Sequence, residues 1–99
     1  LSNSSSGRTL PPPPTGVKAK TLNNIASIIE WNLLKGATSY NIYRAQNGLY
    51  GSYEIIKQNW ESTIYFDMDI EKGAVYYYKI SSVFRNTVEG EKSKSAKAN

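Results

Sequence analysis

Neither cysteine nor histidine occurs among the 99 residues. The first absence excludes disulfides and thiolate metal sites; the second removes the commonest general base and metal ligand. Small exported domains often lean on disulfides, so this one must hold together by packing alone. No run approaches the roughly 20 apolar residues needed to span a membrane. The chain opens on Leu1 rather than methionine and shows no basic-then-apolar export signal. The chain is therefore expected to be a segment of a longer polypeptide.

What is present is aromatic. Hydrophobic residues make up only 39% of the chain, yet aromatics reach 12%, with eight tyrosines. A domain of this size buries about 60–65% of the surface its unfolded chain exposes, so its core must be efficient. Each buried ring removes roughly 150–250 Å² from water, and a few of them suffice to anchor a small interior. The net charge is +4, with twelve basic and eight acidic residues. That is basic, but it lacks the dense Lys/Arg blocks of a nucleic-acid arm, and no nucleic acid is expected as a partner.

Residues 1–14 stand apart. "LSNSSSGRTL" is serine-rich and offers almost nothing to a core, which predicts a disordered linker. "PPPP", Pro11 to Pro14, predicts stiff polyproline II advancing about 3.1 Å per residue, a rigid spacer after a flexible tail. Asn3-Ser4-Ser5 matches a glycosylation triplet that is common by chance.

From residue 15 to 99 short alternating runs are separated by turn residues every 8–12 positions. "TGVKAKT" is a weak first strand and Asn23-Asn24 a turn. "ASIIEWN" puts Ser27, Ile29 and Trp31 on one face and Ile28 and Glu30 on the other. "SYNIYRA" sorts Tyr40 and Ile42 inward, Asn41 and Tyr43 outward. "YEIIK" follows the glycine-bearing loop "QNGLYGS". In "TIYFD", Thr63 and Tyr65 point inward and Ile64 and Phe66 outward. "VYYYKISSV" is the strongest strand, and a basic strand from Glu91 to Ala98 closes the chain. Seven strands without a helical period predict an all-β, antiparallel, immunoglobulin-like sandwich.

Residues 14–98 resemble a fibronectin type III module. Trp31 falls where such modules place the tryptophan of the second strand, and "GATSYNIYRA" looks like the third strand of the bacterial version. "STIYFDMDIEKGAVYYYKISSV" is similar to the stretch through the fifth and sixth strands. There Ile70, six residues before Tyr76, matches the spacing of the tyrosine corner. The resemblance implies that the Tyr76 hydroxyl bonds a backbone group near Ile70. It departs from the family at Ser27, where an apolar residue is usual, at Asp69 for a frequent glycine, and at Lys72 for a common proline. "RNTVEG" holds no Arg-Gly-Asp, and there is no Trp-Ser-x-Trp-Ser motif, so neither integrin binding nor a cytokine-receptor module is implied. Bacterial members accompany glycoside hydrolases and surface proteins, which implies a spacer or accessory role.

Alternation disperses the three tyrosines of "VYYYKI". Tyr76 and Tyr78 enter the core with Ile80, and Tyr77 faces water. The expected core is Ile29, Trp31, Tyr40, Ile42, Tyr65, Ile70, Tyr76, Tyr78 and Ile80. Tyr43 and Tyr77, with Lys79, form one candidate contact surface for a polysaccharide or a protein, against the plainer reading of a cross-strand pair. Tyr50 in the glycine loop is a further candidate, and Trp60 in the polar stretch "KQNWES" is another, against the plainer reading that it caps one end of the core. Ile28, Ile64 and Phe66 form an outward apolar patch suited to docking an adjacent domain, or to burial under the first strand or a folded-back tail. Lys92, Lys94 and Lys97 read as edge protection of the last strand.

"DMD" places Asp67 and Asp69 on one strand face. Glycoside cleavage, however, needs two carboxyls about 5–10 Å apart across a cleft, and a convex small sandwich offers none. The expectation is therefore a monomeric, non-catalytic module of a bacterial exported protein, extracellular or at the cell surface, with no cofactor and no metal. Its job would be to separate and orient neighbouring domains; binding of a carbohydrate or protein through exposed aromatics is the alternative.

Overall fold

The computed structural model describes residues 11–23, 25–46, 52–85 and 87–98, which form eight strands and no helix. In chain order these are β1 (Lys18–Leu22), β2 (Ala26–Glu30), β3 (Ser39–Gln46) and β4 (Glu54–Trp60). β5 (Ile64–Asp67), β6 (Tyr76–Phe84), β7 (Val88–Lys92) and β8 (Ala96–Ala98) complete the set. One antiparallel sheet has the order β1-β2-β5; the other runs β4-β3-β6-β7, with β8 also paired to β6. The molecule is a β-sandwich.

The count exceeds seven because the last predicted strand is broken. β7 ends at Lys92, opposite Ser81, and β8 resumes with Ala96 opposite Tyr78. Ser93 fills the break: its N–H donates to the Ile80 carbonyl at 2.7 Å, and its hydroxyl accepts from the Ile80 N–H at 2.9 Å. The ladder slips by one residue while both Ile80 backbone groups stay satisfied.

β4 also departs from expectation. Rather than leaving Trp60 in a connection, the strand continues to it, with Trp60 opposite Tyr40. Two register shifts absorb the extra length. At one of them Asn59 takes φ 55°, and its N–H, turned out of the ladder, donates to Asn41 Oδ1 at 3.0 Å. Asn tolerates this left-handed conformation better than most residues.

The core lies between the sheets: Ile29, Trp31, Tyr40, Ile42, Tyr76, Tyr78, Ile80 and Ala98 are buried together. Tyr65, Ile70 and Trp60 pack against them, partly buried. Trp31 and Tyr40 meet edge to face, ring centres 5.4 Å apart, a geometry the ring quadrupoles favour. Within "YYY", Tyr76 is 3% exposed, Tyr78 is fully buried and Tyr77 is half-buried on the opposite face. The Tyr76 hydroxyl accepts the Glu71 N–H at 2.8 Å, closing a tyrosine corner.

Candidate functional site

The outer face of the five-stranded sheet carries Tyr43 and Tyr77. Pairing of β3 with β6 sets Tyr43 opposite Lys79 and Ala45 opposite Tyr77, so Tyr43 and Tyr77 are diagonal neighbours rather than partners. Tyr43 is held instead by β7. Its hydroxyl donates to Glu89, whose carboxylate also accepts from Ser81 at 2.5 Å. The Lys92 ammonium lies 4.6 Å from the Tyr43 ring centre, and that of Lys79 lies 4.6 Å from the ring of Tyr53. Tyr53, just before β4, did not stand out in the sequence, because its neighbour across the sheet is set by strand order rather than by local spacing.

These contacts tune the groups. Burial, then the Glu89 hydrogen bond and charge, raise Tyr43 to about 12. For Glu89 burial acts upward, but hydrogen bonds from Ser81, Tyr43 and Asn41 and the charge of Lys92 outweigh it and hold the carboxyl below its ordinary value. Chemically the face offers cations seated on rings. A sugar stacking on Tyr43 or Tyr53 must first displace an ammonium group, an attraction of about 0.5–1 kcal/mol at exposed sites.

The smaller sheet presents the apolar patch. Register sets Phe66, Ile28 and Lys20 in one row across the three strands, and Ile64, Glu30 and Lys18 in the next. Ile64 and Phe66 are exposed, at 37% and 49%, and Met68, two residues on, at 64%. Ile28 is half-buried and lines a shallow groove of about 370 Å³ with Lys18, Ala19, Lys20 and Glu30. The first strand therefore flanks the patch without covering it.

Trp60 sits at the rim between the sheets. Its indole N–H donates to the Ile64 carbonyl at 2.8 Å, its ring meets Tyr65 edge to face at 5.2 Å, and the Lys57 ammonium lies 5.4 Å from the ring centre. It is thus engaged as a clasp across the sandwich rim. Tyr50 lies outside the described residues.

Asp67 and Asp69 do not share a face. Asp67 is 3% exposed, while Asp69, beyond the end of β5, is exposed. Asp67 accepts from Arg44 Nη1 at 2.9 and 3.2 Å and from the Tyr78 hydroxyl at 2.7 Å. With both oxygens engaged, this carboxylate is a structural anchor. Burial alone would lower the Arg44 pKa; the Asp67 hydrogen bond and charge outweigh it and raise the value. Burial, reinforced by Asp67, likewise raises Tyr78. Among the described residues no group of three acidic, histidine or cysteine side chains is placed to hold a metal ion. No helix there is long and apolar enough to cross a membrane.

The sandwich and its tyrosine corner define an immunoglobulin-like β module. No protein-family model matches the chain. It is 34% identical to an Fn3-like protein from Clostridium thermocellum of known crystal structure, covering 92% of this chain and 94% of that one with a TM-score of 0.82. It is also 35% identical over 95 residues to an amylopullulanase of Thermoanaerobacterium saccharolyticum, matching 94% of this chain and 7% of that protein. An amylopullulanase of Thermoanaerobacter thermohydrosulfuricus is 31% identical over 100 residues, 6% of its length. The chain belongs to the fibronectin type III family. It spans less than a tenth of the curated relatives it matches, which are far longer polypeptides.

Proposed function

We propose that the chain is a non-catalytic accessory module that separates and orients neighbouring domains of a multidomain bacterial exported protein. The parent would be a glycoside hydrolase or a surface protein, working outside the cell or on its surface. The observation that carries this reading is the match of nearly the whole chain to a 6–7% portion of two amylopullulanases. A module of that kind meets other domains, and the patch of Phe66 and Ile28 in one row with Ile64 in the next is the apolar surface on which a neighbour would rest. Tethering makes even a small contact sufficient, because a short linker supplies an effective concentration in the millimolar range.

The test is replacement. In the parent polypeptide this segment is exchanged for a flexible Gly/Ser linker of equal length, and activity on polymeric substrate and the melting temperature of the adjacent domains are measured. Both should fall; equal performance after exchange ends the spacer reading. A recognition module using Tyr43, Tyr77 and Lys79 is the rival, favoured by the placing of Tyr43 and Tyr77 as diagonal neighbours on one face. It requires retardation in polysaccharide affinity gels together with shifts of the Tyr43 and Tyr77 NMR signals.

A further inference from the structure

The proline run is docked on the sandwich. The Pro11 carbonyl accepts the Glu91 N–H of β7 at 3.1 Å, and the Pro12 carbonyl accepts the Ser82 hydroxyl of β6 at 3.3 Å. Pro14 is buried. The Thr15 carbonyl accepts the Asn32 N–H at 2.9 Å, and the Asn32 amide donates to the Thr15 hydroxyl at 3.2 Å. Contacts are thus spread along the segment from Pro11 to Thr15, in place of the free-standing spacer expected from composition.

Two glycines make the fit. A Cβ at Gly90 would lie 2.5 Å from the Pro11 carbonyl oxygen and 2.7 Å from its Cβ, so this strand position must be bare for the run to seat. Gly16, at φ 67°, turns the chain beneath the Asn32 side chain, where a Cβ would meet the amide nitrogen at 2.5 Å. Prolines suit the role for two reasons. Their φ is already fixed, so ordering them loses little chain entropy. They have no N–H, so they accept from the edge strand without presenting donors for another strand to join.

We propose that the notch at Gly90, with Ser82 and the Glu91 N–H, is a docking site for the chain's own Pro11–Pro14. The docked run fixes the direction from which the preceding polypeptide, residues 1–10 and anything attached to them, approaches the sandwich. The strap replaces a free hinge with a set angle. Its consequence for a neighbouring domain rests on the accessory reading above; the docking itself does not.

The chain has no cysteine, so spin labels at Leu10→Cys and Lys97→Cys are unique. Double electron–electron resonance on this otherwise unaltered chain should give one narrow distance distribution, and adding Gly90→Ala should broaden it. A broad distribution before that substitution, or a narrow one after it, overturns the strap. Should Gly90→Ala fail to fold, deletion of residues 1–12 replaces it, read by amide exchange. Glu91 should exchange at least tenfold faster than in the full chain while Tyr78 and Ile80 stay protected; equal Glu91 rates overturn the proposal. The spacer reading stands or falls on domain replacement in the parent, so a loose strap beside a positive replacement assay removes only this inference.

Discussion

Arg44 of β3 and Asp67 of β5 bridge the two sheets, with Arg44 Nη1 2.9 Å from one carboxylate oxygen and 3.2 Å from the other. The same nitrogen lies 2.9 Å from the Asp69 carbonyl, and the guanidinium carbon sits 5.1 Å from the Tyr76 ring centre. Asp67 is therefore bound to β3, and through Tyr78 to β6, at the place where the chain leaves β5 for the tyrosine corner. Asp67→Ala leaves a partly buried cation with only the Asp69 carbonyl in place of its counter-charge, and a buried phenol without its acceptor. Breaking one side of such a pair removes about 3–5 kcal/mol, and urea unfolding should show a loss in that range. A loss under about 1 kcal/mol would mean that water replaces the carboxylate at no penalty.

The corner itself is open to a smaller substitution. Tyr76→Phe keeps the buried ring and removes only the oxygen that accepts the Glu71 N–H. The expected destabilisation is about 1–2 kcal/mol, a lost hydrogen bond plus a partly desolvated donor. The circular-dichroism spectrum should stay that of the native sandwich, and the change should appear as a lower urea midpoint with an unchanged slope.

Tyr43 predicts an alkaline transition. Its folded pKa of about 12 lies above the ordinary tyrosine value of 10.0. A raised folded value favours the protonated phenol in the native state. The stability it contributes is whole below pH 10 and is lost as pH climbs from 10 through 12. Glu89 works with the opposite sign: its folded pKa is lowered, so its contribution is present above the ordinary value of 4.5 and fades as pH falls through the folded value. Melting temperatures of the unaltered chain and Tyr43→Phe should diverge least above pH 12. A gap that stays constant from pH 9 to 12 would sink the assignment.

Phe66 separates surface from core. Being half-exposed in the isolated chain, it should tolerate Phe66→Ser with a stability change within about 0.5–1 kcal/mol. In the parent polypeptide the same substitution should speed amide exchange at the domain contact, if this face carries a neighbour. Equal exchange in both would leave the patch a bare sheet face.

Strand alternation made much of this molecule legible in its sequence. Odd-and-even sorting separates Tyr77 from Tyr76 and Tyr78, and the outward positions of Ile64 and Phe66 follow from the same rule. What escaped it depends on distance along the chain. Arg44 and Asp67 are 23 residues apart, and no spacing rule joins them; the adjacent Asp69 supplied a false companion. The slips around Asn59 carry Trp60 into β4, and a slip of one residue leaves no mark in composition. The docking of Pro11 on Gly90 was hidden because "RNTVEG" reads as a turn before the last strand, whereas Gly90 lies within β7, and a glycine in a strand signals close approach without naming what approaches.

The two tryptophans occupy opposite optical worlds. Trp31 lies 4% exposed, its indole N–H without a hydrogen-bond partner among the described residues, and Trp60 sits partly wet at the rim. The interior indole should emit toward the blue and resist quenching by iodide, while the outer one emits toward the red and is quenched. A single fluorescence record therefore reports separately on loosening of the rim and collapse of the interior, without any added dye.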